Sequence, residues 1–170
     1  AGQMTRQTIY SNSTIITEEY GYPWDGRPIT HHTNRGKITG ISSWGILQFD
    51  GSSIANFSWT VDSTADIQRE GMTTSALDDC DPFTIGENEY INGYRMIDGF
   101  QPFGIVFYVF NKNGSYRSYE CFANGGIRSD TVPDYTDSSV IFYPNHYLSG
   151  FIIQDLSNLN GIQLQFTPVH

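Results

Sequence analysis

The chain has 170 residues, a formal net charge of −9 and an isoelectric point near 4.6. That length suits one domain with a sizeable core, while the acidity excludes a nucleic-acid partner, whose phosphates demand lysine and arginine. No apolar run of about 18 residues is present to cross a membrane as a helix.

Lysine occurs only at 37 and 112, alanine is scarce, and tyrosine and phenylalanine number 11 each. Helix formers are thin and aromatic or β-branched residues fill the periodic stretches, so the chain reads as all-β. Residues 1–18 read as strand material, through Thr8-Ile9-Tyr10 and Thr14-Ile15-Ile16-Thr17, and form an N-terminal extension to a domain over 19–170. Residues 19–34 are turn-rich and hold Gly21-Tyr22-Pro23-Trp24-Asp25-Gly26.

From Lys37 onward the chain repeats itself. Lys37-Ile38-Thr39-Gly40-Ile41, Ile91-Asn92-Gly93-Tyr94 and Leu148-Ser149-Gly150-Phe151 share the order apolar, small polar, glycine, apolar. Each is answered by a phrase opening on Gly-Ile: Gly45-Ile46-Leu47-Gln48-Phe49, Gly104-Ile105-Val106-Phe107 and Gly161-Ile162-Gln163-Leu164-Gln165-Phe166. The last two copies align without a gap; in the first, the short loop Ser42-Ser43-Trp44 separates the phrases. A threefold repeat of short strands predicts three hairpin units that bury their apolar faces round a shared axis.

Turn signals interrupt these phrases at Asp50-Gly51-Ser52-Ser53, Asn111-Lys112-Asn113-Gly114 and Asn124-Gly125-Gly126. Residues 62–89 and 124–139 read as the two long polar connections, and 103–110 as a buried strand. Cys80 and Cys121 make an even count. A bridge between them would close a loop of about 40 residues and stabilise by about 4 kcal/mol; pairing between chains and two free thiols remain open alternatives. The first residues, Ala1-Gly2-Gln3, suit a processed N-terminus, and Asn12, Asn56 and Asn113 each open an Asn-x-Ser/Thr triplet, so a secreted glycoprotein is expected.

The order of a glycine-bearing turn, Pro23-Trp24-Asp25-Gly26, Gly36-Lys37-Ile38-Thr39-Gly40-Ile41 and a Gly-Ile strand resembles the opening of the jacalin-related lectins, in their animal-type, secreted form. Leu148-Ser149-Gly150-Phe151 followed by Gly161-Ile162-Gln163-Leu164-Gln165-Phe166 resembles their last hairpin. The resemblance runs from about Gly21 to Phe166. It implies a type I β-prism of three four-stranded Greek-key sheets with pseudo-threefold symmetry. It also implies non-catalytic binding of hexose-containing glycans, without cofactor, by a homodimer or larger assembly.

The family's sugar site lies where a glycine-rich N-terminal loop faces a Gly-x-x-x-Asp loop of the final hairpin. A hexose needs an acceptor carboxylate, whose bonds are charge-assisted, and backbone N–H donors that glycine lets approach closely. Carried onto this chain, Gly21 and Tyr22 frame the site, and Asn158, Leu159 and Asn160 supply the opposing wall. Leu156 stands where glycine is usual and Asn160 where aspartate is usual, so either affinity drops, or specificity moves, or Asp155 supplies the carboxylate. On this reading Asn160→Asp restores a charged acceptor and tightens binding.

Each candidate has a structural alternative. Asn160 before Gly161 is also an ordinary turn residue, and Trp24 reads as core beside the better ligand candidate Tyr22. His31-His32 lack further metal ligands, and Asp78-Asp79-Cys80-Asp81 lacks the alternation of a calcium loop. No catalytic motif or spaced carboxylate pair supports an enzyme. The competing reading is an acidic matrix protein on the same fold, with a decayed sugar site and an affinity for calcium or mineral.

Overall fold

The computed structural model describes residues 6–21, 28–47, 53–71, 77–98, 102–121, 136–155 and 159–169, all of them strand, turn or extended chain, with no helix. In chain order the strands are β1 (Arg6–Thr8), β2 (Ile15–Ile16), β3 (Tyr20–Gly21), β4 (Thr30–His32), β5 (Ile38–Leu47), β6 (Ser53–Val61), β7 (Thr64–Gly71) and β8 (Leu77–Asp79). They continue as β9 (Phe83–Thr84), β10 (Glu89–Asp98), β11 (Pro102–Asn111), β12 (Tyr116–Cys121), β13 (Thr136–Asp137), β14 (Val140–Phe142), β15 (His146–Asp155) and β16 (Leu159–Pro168).

Three long antiparallel hairpins, β5–β6, β10–β11 and β15–β16, each form the middle of a sheet. Around the first, β7 flanks β6 while β8 and β9 share the far side of β5; around the second, β12 flanks β11 while β13 and β14 share the far side of β10. Both are Greek keys, with the returning strand beside the first. The third hairpin takes its outer strands from the start of the chain, β2 and β3 beside β16 and β4 beside β15. The expected three-walled β-prism is therefore observed, each wall four strands wide.

One addition departs from that plan. β1 runs parallel to β14 and adds a fifth strand to the second sheet, with Ile9 N–H donating to the Phe142 carbonyl at 2.8 Å. The strand-like segment 1–18 thus enters two sheets, through β1 and β2.

The repeated phrase has one physical explanation in all three copies. Thr39, Asn92 and Ser149 are each an extra residue in their ladder, a β-bulge, and each is followed by the repeat glycine. A Cβ on Gly40, Gly93 or Gly150 would run into the backbone of the strand crossing there, at Phe83, Ile141 and His32 respectively. Each bulge carbonyl accepts one N–H from that crossing segment: Ile85 to Thr39 at 2.7 Å, Tyr143 to Asn92 at 2.9 Å and Arg35 to Ser149 at 3.1 Å. Glycine is needed because two backbones meet.

At the axis the hairpins contribute one ring each. Phe57, Phe107 and Phe151 meet with centroids 5.7 to 6.4 Å apart, flanked by Trp44, Trp59 and Phe83. The disulfide Cys80–Cys121, with Cα atoms 5.4 Å apart, ties the first sheet to the second and spans 41 residues. It contributes about 4 kcal/mol by restricting the unfolded chain. Since both cysteines pair within the chain, neither links protomers.

Several sequence expectations need correction. Gly45-Ile46-Leu47 is not the answering strand of the first repeat; it continues β5, and Ser42-Ser43-Trp44 is bulged strand rather than loop. The Ser42 and Ser43 hydroxyls bond Ser58 across the ladder at 3.0 and 2.7 Å, and Trp44 is buried with its indole N–H on the Asp81 carbonyl. The chain reverses only between Leu47 and Ser53. The connection 62–89 contains β7, β8 and β9, and the turn-rich 19–34 contains β3 and β4. In 103–110 the odd positions are buried, but Tyr108 and Phe110 are half-exposed on the outer face. Asn56 lies buried in β6 beneath its neighbours, so a glycan cannot sit there in the folded chain; Asn12 and Asn113 are exposed.

Candidate functional site

The end of the prism that carries the reversals of the second and third hairpins is where the sequence places a sugar site. β3 brings Tyr20 and Gly21 to that end by pairing with the start of β16: Gly21 lies opposite Gly161 and Tyr20 opposite Ile162. Tyr20 anchors the strand, since it is buried and its hydroxyl bonds the Tyr94 hydroxyl in the core. Desolvation raises the pKa of both phenols, so they stay neutral as hydrogen-bonding groups.

Gly21 adopts φ +90°, the left-handed region, and a Cβ there would overlap the Asn160 carbonyl oxygen. Only glycine meets both conditions. Gly21 is thus brought against the start of β16. The side chains of Leu159 and Asn160 do not face a ligand there.

Leu159 lies in the core cluster with no exposure, and Asn160 is only 4% exposed with its Oδ1 buried and unpaired among the described residues. Both belong to β16, not to a loop. The reason is the ladder: Asp155 pairs with Leu159, which leaves only 156–158 to turn the chain. Asp155 ends β15 at this end of the prism. Tyr22 and Asn158, like Trp24 and Asp25, lie outside the described residues.

The carboxylate that does reach Gly21 is Asp98, at the end of β10: the Gly21 N–H donates to its Oδ1. Sequence reading singled out Asp155 and passed over Asp98. A signal was present, because Asp98 precedes Asp155 by the same interval that separates Gly93 from Gly150. The repeat therefore puts an acidic residue at the last ladder position of two hairpins.

Elsewhere, His31 and His32 are adjacent in β4 and so project to opposite faces, with His32 packed edge-on against Trp59 at 5.2 Å. Among the described residues no three His, Cys, Asp or Glu side chains come together as a metal site. Two carboxylates are held by arginines: Glu89 by Arg117, with Nη2 2.9 Å from Oε1, and Asp137 by Arg95, with Nη2 2.6 Å from Oδ2. Burial opposes the charge on each, but the guanidinium and a backbone N–H outweigh it and hold both carboxyls below their usual range.

No protein-family model and no curated protein matches the sequence. Solved structures do match the fold. Frutapin, a lectin from Artocarpus incisa, superimposes with TM-score 0.60 at 13% identity over 92% of this chain and 99% of its own. The Malaysian banana lectin gives 0.60 at 16% identity over 91% and 99%. A mannose-specific jacalin-related lectin from Morus nigra, in complex with mannose, gives 0.57 at 15% identity over 92% and 96%. The likeness extends over the whole prism, and the chain has the β-prism fold of the jacalin-related lectins.

Proposed function

We propose that this chain is a lectin that binds hexose-containing glycans reversibly, without catalysis, at the prism end formed by Gly21, Asp98 and the β15–β16 reversal. The observation that carries the reading is the convergence of a left-handed glycine backbone on a carboxylate at that end. The lectin fold of the neighbours supports it, including one solved with mannose bound. Asp98 is the acceptor for sugar hydroxyls, a role that the buried Asn160 side chain is badly placed to take. The proposal keeps Asp155, Tyr22 and Asn158 as contributors expected from the sequence.

A single shallow site of about 1 mM affinity yields only about −4 kcal/mol. Useful avidity then requires linked sites, so the proposal includes a dimer or larger assembly, held without intermolecular disulfides. The internal disulfide fits an oxidising compartment, and the proposal includes secretion.

Titration calorimetry of the purified chain against mannose, galactose and glucose tests the reading. Saturable heat with at least one neutral hexose is expected, weakened about tenfold by Asp98→Asn, since charge-assisted bonds are about twice as strong as neutral ones. Absence of heat with all three, together with a blank glycan array, would sink it.

A further inference from the structure

The second and third hairpins extend two ladder positions beyond the first at the opposite end of the prism. The first closes with Ile38 opposite Val61, whereas the second continues through Tyr90–Phe110 and Glu89–Asn111, and the third through Tyr147–Thr167 and His146–Pro168. Backbone bonds of 2.9 Å from Lys112 to Asn88 and 2.7 Å from Val169 to Asn145 finish the two extensions. Between them lies a cavity of about 230 Å³, whose walls include Tyr90, Asn92, Phe110, Lys112, Asn145 and His146.

We propose that this cavity is a second ligand site, for an acidic sugar unit: a single ring bearing hydroxyls and one carboxylate. The first argument is the bulge residue Asn92. Its counterparts Thr39 and Ser149 spend their hydroxyls on neighbours, Thr39 on Thr60 at 2.9 Å and Ser149 on Gln165 and Thr167 at 3.1 and 2.6 Å. Asn92 is 3% exposed, and its Oδ1 has no partner among the described residues. A buried acceptor left unpaired is costly, and of the three bulge side chains only this one lines the cavity. A ligand hydroxyl satisfies it.

The second argument is charge. The chain has two lysines, and both ammonium groups lie over the Tyr90 ring, Lys37 at 4.8 Å and Lys112 at 5.5 Å from its centroid. Lys37 donates to the Gly86 and Glu87 carbonyls at 3.2 Å, whereas exposed Lys112 is ion-paired to no carboxylate among the described residues. Two carboxylates whose charge acts on Lys37 are engaged elsewhere, Glu89 with Arg117 and Asp62 with the Lys37 backbone N–H at 3.2 Å. In a chain of net charge −9, a cation that lines the cavity and is ion-paired to no carboxylate among the described residues selects an anion.

The third argument is shape. Tyr90 and Phe110 give the cavity aromatic walls, on which the C–H face of a sugar ring packs. His146 fixes the remaining wall, because its two ring nitrogens face the Pro144 and Ser13 carbonyls at 2.8 and 2.9 Å. At about 230 Å³ the space falls below the range of about 300–1,000 Å³ that holds drug-sized ligands, so it takes one ring and not a chain.

Amide-resolved NMR titration of the full chain with glucuronate, glucose and acetate tests the assignment. The three probes separate ring plus carboxylate from ring alone and carboxylate alone. Saturable shifts centred on Tyr90, Asn92, Lys112 and His146 are expected with glucuronate, at least tenfold weaker with either other probe. Lys112→Gln, an exposed change that leaves the fold intact, is expected to weaken glucuronate about tenfold, and Lys112→Arg to preserve it. Acetate binding as well as glucuronate, binding indifferent to Lys112→Gln, or no saturable shift at these residues would each overturn the proposal. Shifts near Gly21 and Asp98 report separately on the neutral-sugar site, so either site can fail alone.

Discussion

The same three hairpins build both ends of the prism, yet the ends differ in charge and in what they leave open. At the end holding Gly21, two ladders finish on aspartates, Asp98 and Asp155, and a left-handed glycine backbone folds onto one of them. At the other end two ladders run past the first and enclose a cavity, with both lysines of the chain at one tyrosine ring. Between the ends, bulge, glycine and crossing strand recur three times with little freedom to vary. Packing constraints relax at the ladder ends, and that is where the repeats diverge and polar chemistry collects.

The largest expected effect removes what the two ends share. Phe107→Ala deletes one of the three rings at the axis and is expected to cost about 3–5 kcal/mol, seen as a lower urea midpoint and loss of ligand binding at both ends together. Binding that survived at one end alone would show that the ends fold independently. Gly21→Ala acts on one end. Its backbone at φ +90° carries a penalty of about 1–2 kcal/mol for a residue with a Cβ, and the overlap with the Asn160 carbonyl adds to it. Hexose heat is expected to vanish while NMR shifts at Asn92 and Lys112 persist.

Asn160→Asp sharpens the contrast between sequence and structure. The residue pattern predicts tighter sugar binding; the buried position instead predicts a destabilisation of about 1–3 kcal/mol, because the oxygen at the Oδ1 position would carry charge with no donor among the described residues. Thermal unfolding and calorimetry on the same variant decide between them. The smallest effect is acid lability. Glu89 and Asp137 have lowered carboxyl pKa values in the folded chain, so their contribution is full above the unfolded values of about 4 and fades as pH falls through the folded ones. The urea midpoint should fall on acidification, and less in Glu89→Gln or Asp137→Asn; equal slopes in all three proteins would exclude these ion pairs as the cause.

The architecture was legible because each repeat had to solve the same steric problem. A bulge facing a crossing backbone demands a small polar residue and then glycine, and that demand survives in Thr39-Gly40, Asn92-Gly93 and Ser149-Gly150 when the rest of the repeat has drifted. The first hairpin was misread for the same reason: Gly45-Ile46 imitates the answering phrase, yet Trp44 and its serine neighbours carry β5 straight through it. Gly21 beside the final hairpin was likewise legible. The orientation of Asn160 was not, since a residue before glycine fits a turn as well as a ladder, and only the pairing of Asp155 with Leu159 decides between them.

What the amino-acid sequence determined by itself is the threefold plan: three bulged hairpins, all-β, closed round one axis, because local backbone sterics and apolar alternation act within a few residues. The tertiary structure alone decided which polar groups are left facing a ligand. Asp98 meets Gly21, and Tyr90 meets both Lys37 and Lys112, across 77, 53 and 22 positions of chain. Distances of a few ångströms between such groups arise only when the sheets dock, and no local propensity encodes them.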